Sequence, residues 1–220
     1  MGNVLITGAN KGIGLELAKQ LKSRGHTIYA TCRQSSEVLN ALGVHIYPDI
    51  DVRDRKAHAR LQEALEGISL DLVIQNAGIL TPTRLGELDE EAIRAQFEVN
   101  ALGPLMLTEQ LLGNIAKGGK IALISSRMGS IADNTSGSSY GYRMSKAALN
   151  IAGVSLAQDL RDREIAVTIL HPGYVQTDIT GGRGLITADV AAQGLIERID
   201  DLSLETSGRF WHQSGEELPW

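Results

Sequence analysis

The chain of 220 residues has a single cysteine, Cys32, so it can form neither an internal disulfide nor a cysteine-rich zinc site. That usage fits a reducing compartment, and the cytoplasm is the expected location. No apolar run approaches the ~18 residues of a spanning helix, so no membrane segment is expected. The opening Met1-Gly2-Asn3-Val4-Leu5-Ile6 lacks the basic start and apolar core of a signal peptide and has Ile6 where myristoylation needs Ser or Thr. Positive charge is not in excess: Lys and Arg number 21 against 26 Asp and Glu, a net charge of −5. This balance offers no field for nucleic acid or an anionic membrane and leaves a small molecule as the expected partner. No repeat and no Pro-rich or charged linker interrupts the chain, so residues 1–220 are expected to form a single domain. Asn134-Thr135-Ser136 matches a glycosylation sequon, but without a secretion signal it carries no functional weight.

Hydrophobic residues make up 43% and charged residues 21%, which excludes a disordered chain. Short β-branched runs alternate with longer segments of helical period. Strands are predicted at Val4–Thr7, Thr27–Thr31, Val44–Ile50, Asp71–Gln75, Lys120–Ile124, Ala166–Leu170 and Gly208–Trp211. Helices are predicted at Ile13–Ser23, Ser35–Leu42, Arg55–Leu65, Asp89–Ile115, Tyr142–Leu160 and Ala188–Ile199. The order predicts an α/β fold: one doubly wound parallel β-sheet flanked by helices on both faces. Strands buried on both sides can be continuously apolar, as Leu72-Val73-Ile74 and Ile121-Ala122-Leu123-Ile124 are. Ligands in such sheets bind beyond the carboxyl ends of the strands, so the loops after strands are where chemistry is sought.

Thr7-Gly8-Ala9-Asn10-Lys11-Gly12-Ile13-Gly14 lies between the first strand and the first helix, where missing side chains let backbone N–H groups approach a pyrophosphate. Its spacing is T-G-x-x-x-G-x-G, which resembles the short-chain dehydrogenase/reductase family, nicotinamide-dependent oxidoreductases on a Rossmann sheet. The resemblance extends over nearly the whole chain. Gln75-Asn76-Ala77-Gly78 looks like the family's N-N-A-G with Gln75 in place of Asn, and Asp51-Val52 looks like its adenine-contacting pair. His171-Pro172-Gly173-Tyr174-Val175-Gln176-Thr177 resembles its P-G-x-x-x-T segment. The resemblance implies cofactor contacts at Gly8, Asn10, Lys11, Gly12, Ile13, Gly14, Asp51, Val52, Asn76, Ala77, Gly78, Pro172, Gly173, Val175 and Thr177.

Sites that prefer NAD carry an acid about 20 residues beyond the glycines. Here that region reads Thr31-Cys32-Arg33. The acid is missing, Arg33 can pair with a 2′-phosphate through its planar fork, and Lys11 adds a second cation. NADP(H) is therefore expected over NAD(H). Cys32 is expected to pack as a small residue rather than to act as a nucleophile.

Tyr142-Arg143-Met144-Ser145-Lys146 sets Tyr and Lys four apart, on one face of a helix. A nearby ammonium is a physical means of lowering a tyrosine pKa and tuning it as a proton donor. Tyr140 has Met144 at the same offset and lacks such a partner. The resemblance implies that Tyr142 and Lys146 are catalytic and also touch the cofactor. It further implies that Ser126 binds the substrate carbonyl and that Asn100, in Phe97-Glu98-Val99-Asn100, completes a tetrad. Ser126 lies 16 residues before Tyr142, further than is usual in the family, so Ser130–Ser139 is read as holding a small insertion, with Ser130 and Ser139 as reserve candidates. His171, at a strand end before Pro, is expected to be structural.

The runs Ser125-Ser126-Arg127-Met128-Gly129-Ser130-Ile131 and Tyr142 to Asn150, with the ending Gly208 to Trp220, look most like the C-factor and Sniffer-like carbonyl reductase branch. The implied activity is NADPH-dependent reduction of an aldehyde, ketone or quinone to an alcohol. An NADP(H)-binding signalling protein of C-factor type is the rival reading. About ten residues separate Thr177 from Ala188, three of them glycine, too few for a helical lid, so an open pocket is expected. The resemblance also implies a homodimer through Asp89–Ile115 and Tyr142–Leu160, with a tetramer as the alternative.

Overall fold

Period-2 alternation in strands that are apolar throughout sends neighbouring side chains into two different cores. In β1 (Asn3–Thr7), Leu5 enters one and Val4 and Ile6 the other; in β4 (Leu70–Gln75), Val73 faces opposite to Leu72 and Ile74. The computed structural model describes residues 1–220 and places these strands side by side in a seven-stranded parallel sheet. The others are β2 (Thr27–Thr31), β3 (His45–Tyr47), β5 (Ile115–Ile124), β6 (Ala166–His171) and β7 (Phe210–His212). Their order is β3-β2-β1-β4-β5-β6-β7.

One face is covered by α3 (Arg55–Ala64), α5 (Gly103–Gln110) and α6 (Tyr140–Asp159), whose Leu61, Leu107 and Leu149 meet Leu5, Val73 and Leu123. The other is covered by α1 (Gly12–Ser23) and α7 (Ala188–Asp200), with Leu17, Leu21, Leu195 and Ile196 against Ile6, Ile74 and Ile124. The remaining helices are α2 (Glu37–Ala41) and α4 (Glu90–Phe97). Strand order reverses between β1 and β4, which opens a crevice at their carboxyl ends. The α/β reading of the sequence is the observed architecture.

Most boundaries differ from expectation by one or two residues, α6 starting at Tyr140 among them, and five differences have a local cause. The segment predicted as one helix over Asp89–Ile115 is divided into α4, a π-helical turn at Glu98–Leu102, and α5, which ends at Gln110. Pro104 has no N–H to give the Asn100 carbonyl, and a Cβ on Gly103 would stand 2.7 Å from the Val52 carbonyl, so the helix widens where it crosses the loop after β3. Strand β5 starts at Ile115 rather than Lys120, because a register shift around Gly118, at φ +78°, separates the Leu70 pairing from that of Leu72. The edge strand β3 is three residues long, since Asp49, at φ +57°, turns the chain. Strand β7 begins at Phe210, after Gly208 turns at φ +84°. Helix α2 starts at Glu37, capped by the Ser36 hydroxyl, which accepts from the Leu39 N–H at 3.2 Å.

Candidate active site

The turn from β1 into α1 is a backbone cradle. Gly8 and Gly12 take φ of +65° and +54°, and a Cβ on Gly14 would lie 2.4 Å from the Gly8 carbonyl oxygen and 2.5 Å from Asn76 Nδ2. Only glycine fits at position 14. Asn76 stitches this cradle to the end of β4: its amide donates to the carbonyls of Thr7 at 2.9 Å and Gly8 at 3.2 Å. Thr7 Oγ1 accepts the N–H groups of Asn76 and Ala77 in return. Gln75 points away, donating to Thr108 Oγ1 at 3.2 Å, so its departure from Asn leaves the loop intact.

These residues form the floor of a cleft of about 1110 Å³. At one end stand Cys32, Arg33, Asp51 and Val52; at the other are Tyr142, Lys146, Pro172, Gly173, Val175 and Thr177. The dimensions and the glycine cradle suit an extended dinucleotide. Cys32 is buried, and burial pushes its thiol pKa up, away from nucleophilic reactivity. Arg33 is exposed at the rim. The Arg53 guanidinium grips Asp51 at 2.7 and 3.1 Å and holds its carboxyl below the usual range. Lys11, expected to serve as a free second cation, is instead paired with Asp178 at 2.6 Å, across the mouth of the cleft.

Ser126 caps a 3-10 turn, Arg127–Gly129, at the end of β5, and its Oγ accepts the Met128 N–H at 3.2 Å. This turn lies hard against α6: a Cβ on Gly129 would be 2.7 Å from the Lys146 carbonyl carbon. Tyr142 and Lys146 follow one another on one face of α6, with Nζ 5.8 Å from the centre of the phenol ring. Lys146 is buried, donates to the Ile124 carbonyl at 2.8 Å, and is driven down to about 7 by desolvation. Burial pushes Tyr142 up to about 12, opposed by a hydrogen bond with the Ser126 side chain. The expected lowering of the tyrosine by the lysine is therefore not met: desolvation dominates at both groups and favours the neutral form of each.

Asn100 sits in the π-helical turn and is fully buried. Its Oδ1 accepts the Ile79 N–H at 2.8 Å, and its amide donates to the Ile79 carbonyl at 2.8 Å and to Ser145 Oγ at 3.0 Å. A Cβ on Gly78 would lie 3.3 Å from Asn100 Oδ1 and 3.7 Å from Lys146 Nζ, so the three converge. The reserve serines do not line the cleft: Ser130 Oγ accepts the Asp133 N–H, and Ser139 precedes α6 with its backbone N–H on the Thr83 carbonyl. His171 packs beside His212, and burial drives its pKa down to about 3, so it stays neutral and structural. Thr177 caps a short 3-10 turn, Asp178–Thr180, which is the only helical piece between Val175 and α7. Asp178 and Ser145 were not singled out in the sequence. Asp178 is 167 residues from Lys11, beyond any local pattern, whereas Ser145 stood within the Tyr142-to-Lys146 run.

A family model described as short chain dehydrogenase matches residues 2–184. The chain belongs to the short-chain dehydrogenase/reductase family. This oxidoreductase is 42% identical, over the full length of both chains, to a 1-hydroxy-2-glutathionyl-2-methyl-3-butene dehydrogenase of Rhodococcus sp.. It is 43% identical to the C-signal of Myxococcus xanthus over 69% of this chain and 93% of that one. Among solved structures, the dehydrogenase/reductase superposes on the carbonyl reductase Sniffer of D. melanogaster with a TM-score of 0.92 at 29% identity, covering all of both chains. It also superposes on an NADPH-bound carbonyl reductase from chicken fatty liver with a TM-score of 0.91 at 30% identity, covering 100% of this chain and 99% of that one. The expected kinship with C-factor and Sniffer-like proteins is met.

Proposed function

We propose that this oxidoreductase reduces a carbonyl compound to an alcohol with NADPH, using Tyr142 as the proton donor. The observation that carries the reading is geometric: Tyr142 and Lys146 face one cleft from one side of α6, with Nζ 5.8 Å from the centre of the phenol ring, opposite the glycine cradle and the Asn76–Gly78 loop. A reductase needs a donor that keeps its proton until an alkoxide develops, and a phenol, protonated at neutral pH, is such a donor.

A nicotinamide dinucleotide bound in the cleft supplies the hydride. The glycine cradle and the Asn76–Gly78 loop hold its pyrophosphate, Asp51 and Val52 its adenine end, and Val175 and Thr177 its reacting end. Arg33 favours a 2′-phosphate. Ser126 and Tyr142 donate hydrogen bonds to the substrate oxygen and strengthen them as charge develops, where loss of one such donor costs about 10²–10³ in rate. Tyr142 passes its proton to that oxygen. Lys146 returns one from solvent, by way of a water that the Asn100 carbonyl, to which Pro104 offers no N–H, can hold by accepting from it.

The bound nucleotide of the chicken carbonyl reductase supports the choice of NADP(H). The similarity to C-signal favours a second reading, nucleotide-dependent signalling with little turnover, and the similarity to a glutathionyl-alcohol dehydrogenase favours the same site run towards oxidation. The intact set Asn100, Ser126, Tyr142 and Lys146 supports turnover. We further propose a cytoplasmic homodimer through the helices carrying the exposed Phe97, Leu102 and Ile151, with a tetramer as the alternative, to be read by light scattering.

NADPH oxidation is followed against aldehydes, ketones, diketones and quinones, alongside Tyr142→Phe. The expected result is turnover of at least one class, reduced about 10²-fold or more in the variant with NADPH affinity retained. Unchanged turnover in Tyr142→Phe refutes the mechanism. Tight NADPH binding with no turnover across the panel favours signalling.

A further inference from the structure

Three consecutive residues just before α6 take left-handed backbone conformations: Gly137, Ser138 and Ser139, at φ of +62°, +57° and +50°. Glycine visits that region freely, but L residues with a Cβ do so at a cost, and two serines in a row stay there only if the surroundings hold them. Tyr142 follows three residues later. The chain thus enters its catalytic helix through a strained turn.

Two clamps hold the turn. On one side is Thr83, whose carbonyl accepts the Ser139 N–H at 2.8 Å and the Ser138 hydroxyl at 3.3 Å, and whose Oγ1 accepts the Gly141 N–H at 3.1 Å. On the other is Arg143. Its Nε donates to the carbonyls of Gly137 at 3.0 Å and Ser138 at 3.1 Å, its Nη2 to Ser136 Oγ at 2.8 Å, and its Nη1 to the Met128 carbonyl at 3.3 Å. Each of these bonds ends on the single stretch between Met128 and Ser138. Met128 belongs to the turn that Ser126 caps, so one planar fork spans from the Ser126 turn to the strained approach to Tyr142. Arg143 does not line the dinucleotide cleft.

We propose that Arg143 is a positioning residue for the carbonyl substrate: it holds the Met128–Ser138 loop in the strained form that fixes the Ser126 turn against the approach to Tyr142, the two groups that meet the substrate oxygen. The inference rests on the reading of this site as a carbonyl reductase. Without the guanidinium, the serines relax out of the left-handed region and the competent loop becomes a minor population. Apparent substrate affinity then falls by that fraction, while substrate bound to the competent form still reacts. Replacing Ser138 and Ser139 by glycine removes the conformational cost of the left-handed turn, which outweighs the one long bond it forfeits from the Ser138 hydroxyl to the Thr83 carbonyl, so it compensates for a lost clamp but not for a lost substrate contact.

The test compares wild type, Arg143→Ala, the pair Ser138→Gly/Ser139→Gly, and all three changes together. Hydrogen exchange of residues 130–141 is measured on the protein alone, NADPH affinity by fluorescence, and kcat and KM on the best carbonyl substrate of the panel. In Arg143→Ala, faster exchange in this segment is expected, with carbonyl KM raised about tenfold, kcat within about threefold and NADPH affinity within about twofold of wild type. Adding the glycine pair is expected to bring KM back to within about threefold. Unchanged exchange in Arg143→Ala overturns the proposal, whatever the activity. So does an unchanged KM, a parallel loss of NADPH affinity, or a failure of the glycines to rescue. Absence of turnover in wild type overturns the carbonyl reductase reading and, with it, the substrate role of Arg143, and the exchange data then report only what the guanidinium does to the loop.

Discussion

Lys11 Nζ lies 2.6 Å from Asp178 Oδ2, joining the glycine-rich turn to the loop after β6 across the mouth of the cleft. Both side chains are exposed, so the pair adds little to stability and is screened by salt. Its consequence is for nucleotide traffic. Asp178→Asn unties the two loops. Stopped-flow measurement should show faster NADPH release from wild type as salt is raised, and a release rate in Asp178→Asn that no longer increases with salt through this pair. An unaltered salt profile in the variant would remove the pair from any role in release.

Arg33 stands at the rim beyond β2 with its guanidinium exposed and no acid at the neighbouring Thr31 and Cys32. Arg33→Ala is expected to raise the KM for NADPH by about tenfold and leave that for NADH within about twofold, because only the 2′-phosphate is lost as a partner. Initial rates with both cofactors check this. An equal effect on both would mean that Arg33 packs on the adenine rather than reading the phosphate.

The pH dependence of stability follows from Lys146. Its folded pKa, about 7, lies below the ordinary lysine value, so between those two values the unfolded chain binds the extra proton. Stability from this group therefore rises with pH above about 7, and its cost is fully present below it. Lys146→Met, which removes the buried charge, is expected to be more stable than the parent at pH 6 by on the order of 3 kcal/mol, with the gap closing towards pH 10. Urea unfolding of the nucleotide-free proteins across that range checks the sign. A gap that does not change with pH would place the lysine titration near its unfolded value.

Local patterns made much of this legible. Tyr142 and Lys146 could be paired from an offset of four, because a helix converts that spacing into one face. The glycines of the first turn could be read because a Cβ there has nowhere to go, as Gly14 against the Gly8 carbonyl makes plain. Strand β2 could be bounded because β-branched residues lie between turn formers on both sides. What escaped was set by distance or by tertiary crossing. The widened turn around Asn100 arises where α5 meets the Val52 carbonyl, a contact with no sequence neighbour to announce it. Gly118 and Gly119 concealed the start of β5 because a shifted register has no period. The desolvation that dominates at Tyr142 and Lys146 has no signature in the sequence, because spacing along the chain says nothing of how dry a site is.

The stitch made by Asn76 divides the enzyme into a finished half and an adjustable one. With its amide already spent on the carbonyls of Thr7 and Gly8, the nucleotide end is assembled before any ligand arrives. The far wall, by contrast, is the loop from Val175 to Thr180, which runs on into Gly181 and Gly182, both in the left-handed region, and carries no lid helix. New substrate preferences can therefore accumulate along that wall by changes of a few surface residues, while the hydride-delivering apparatus is inherited unaltered.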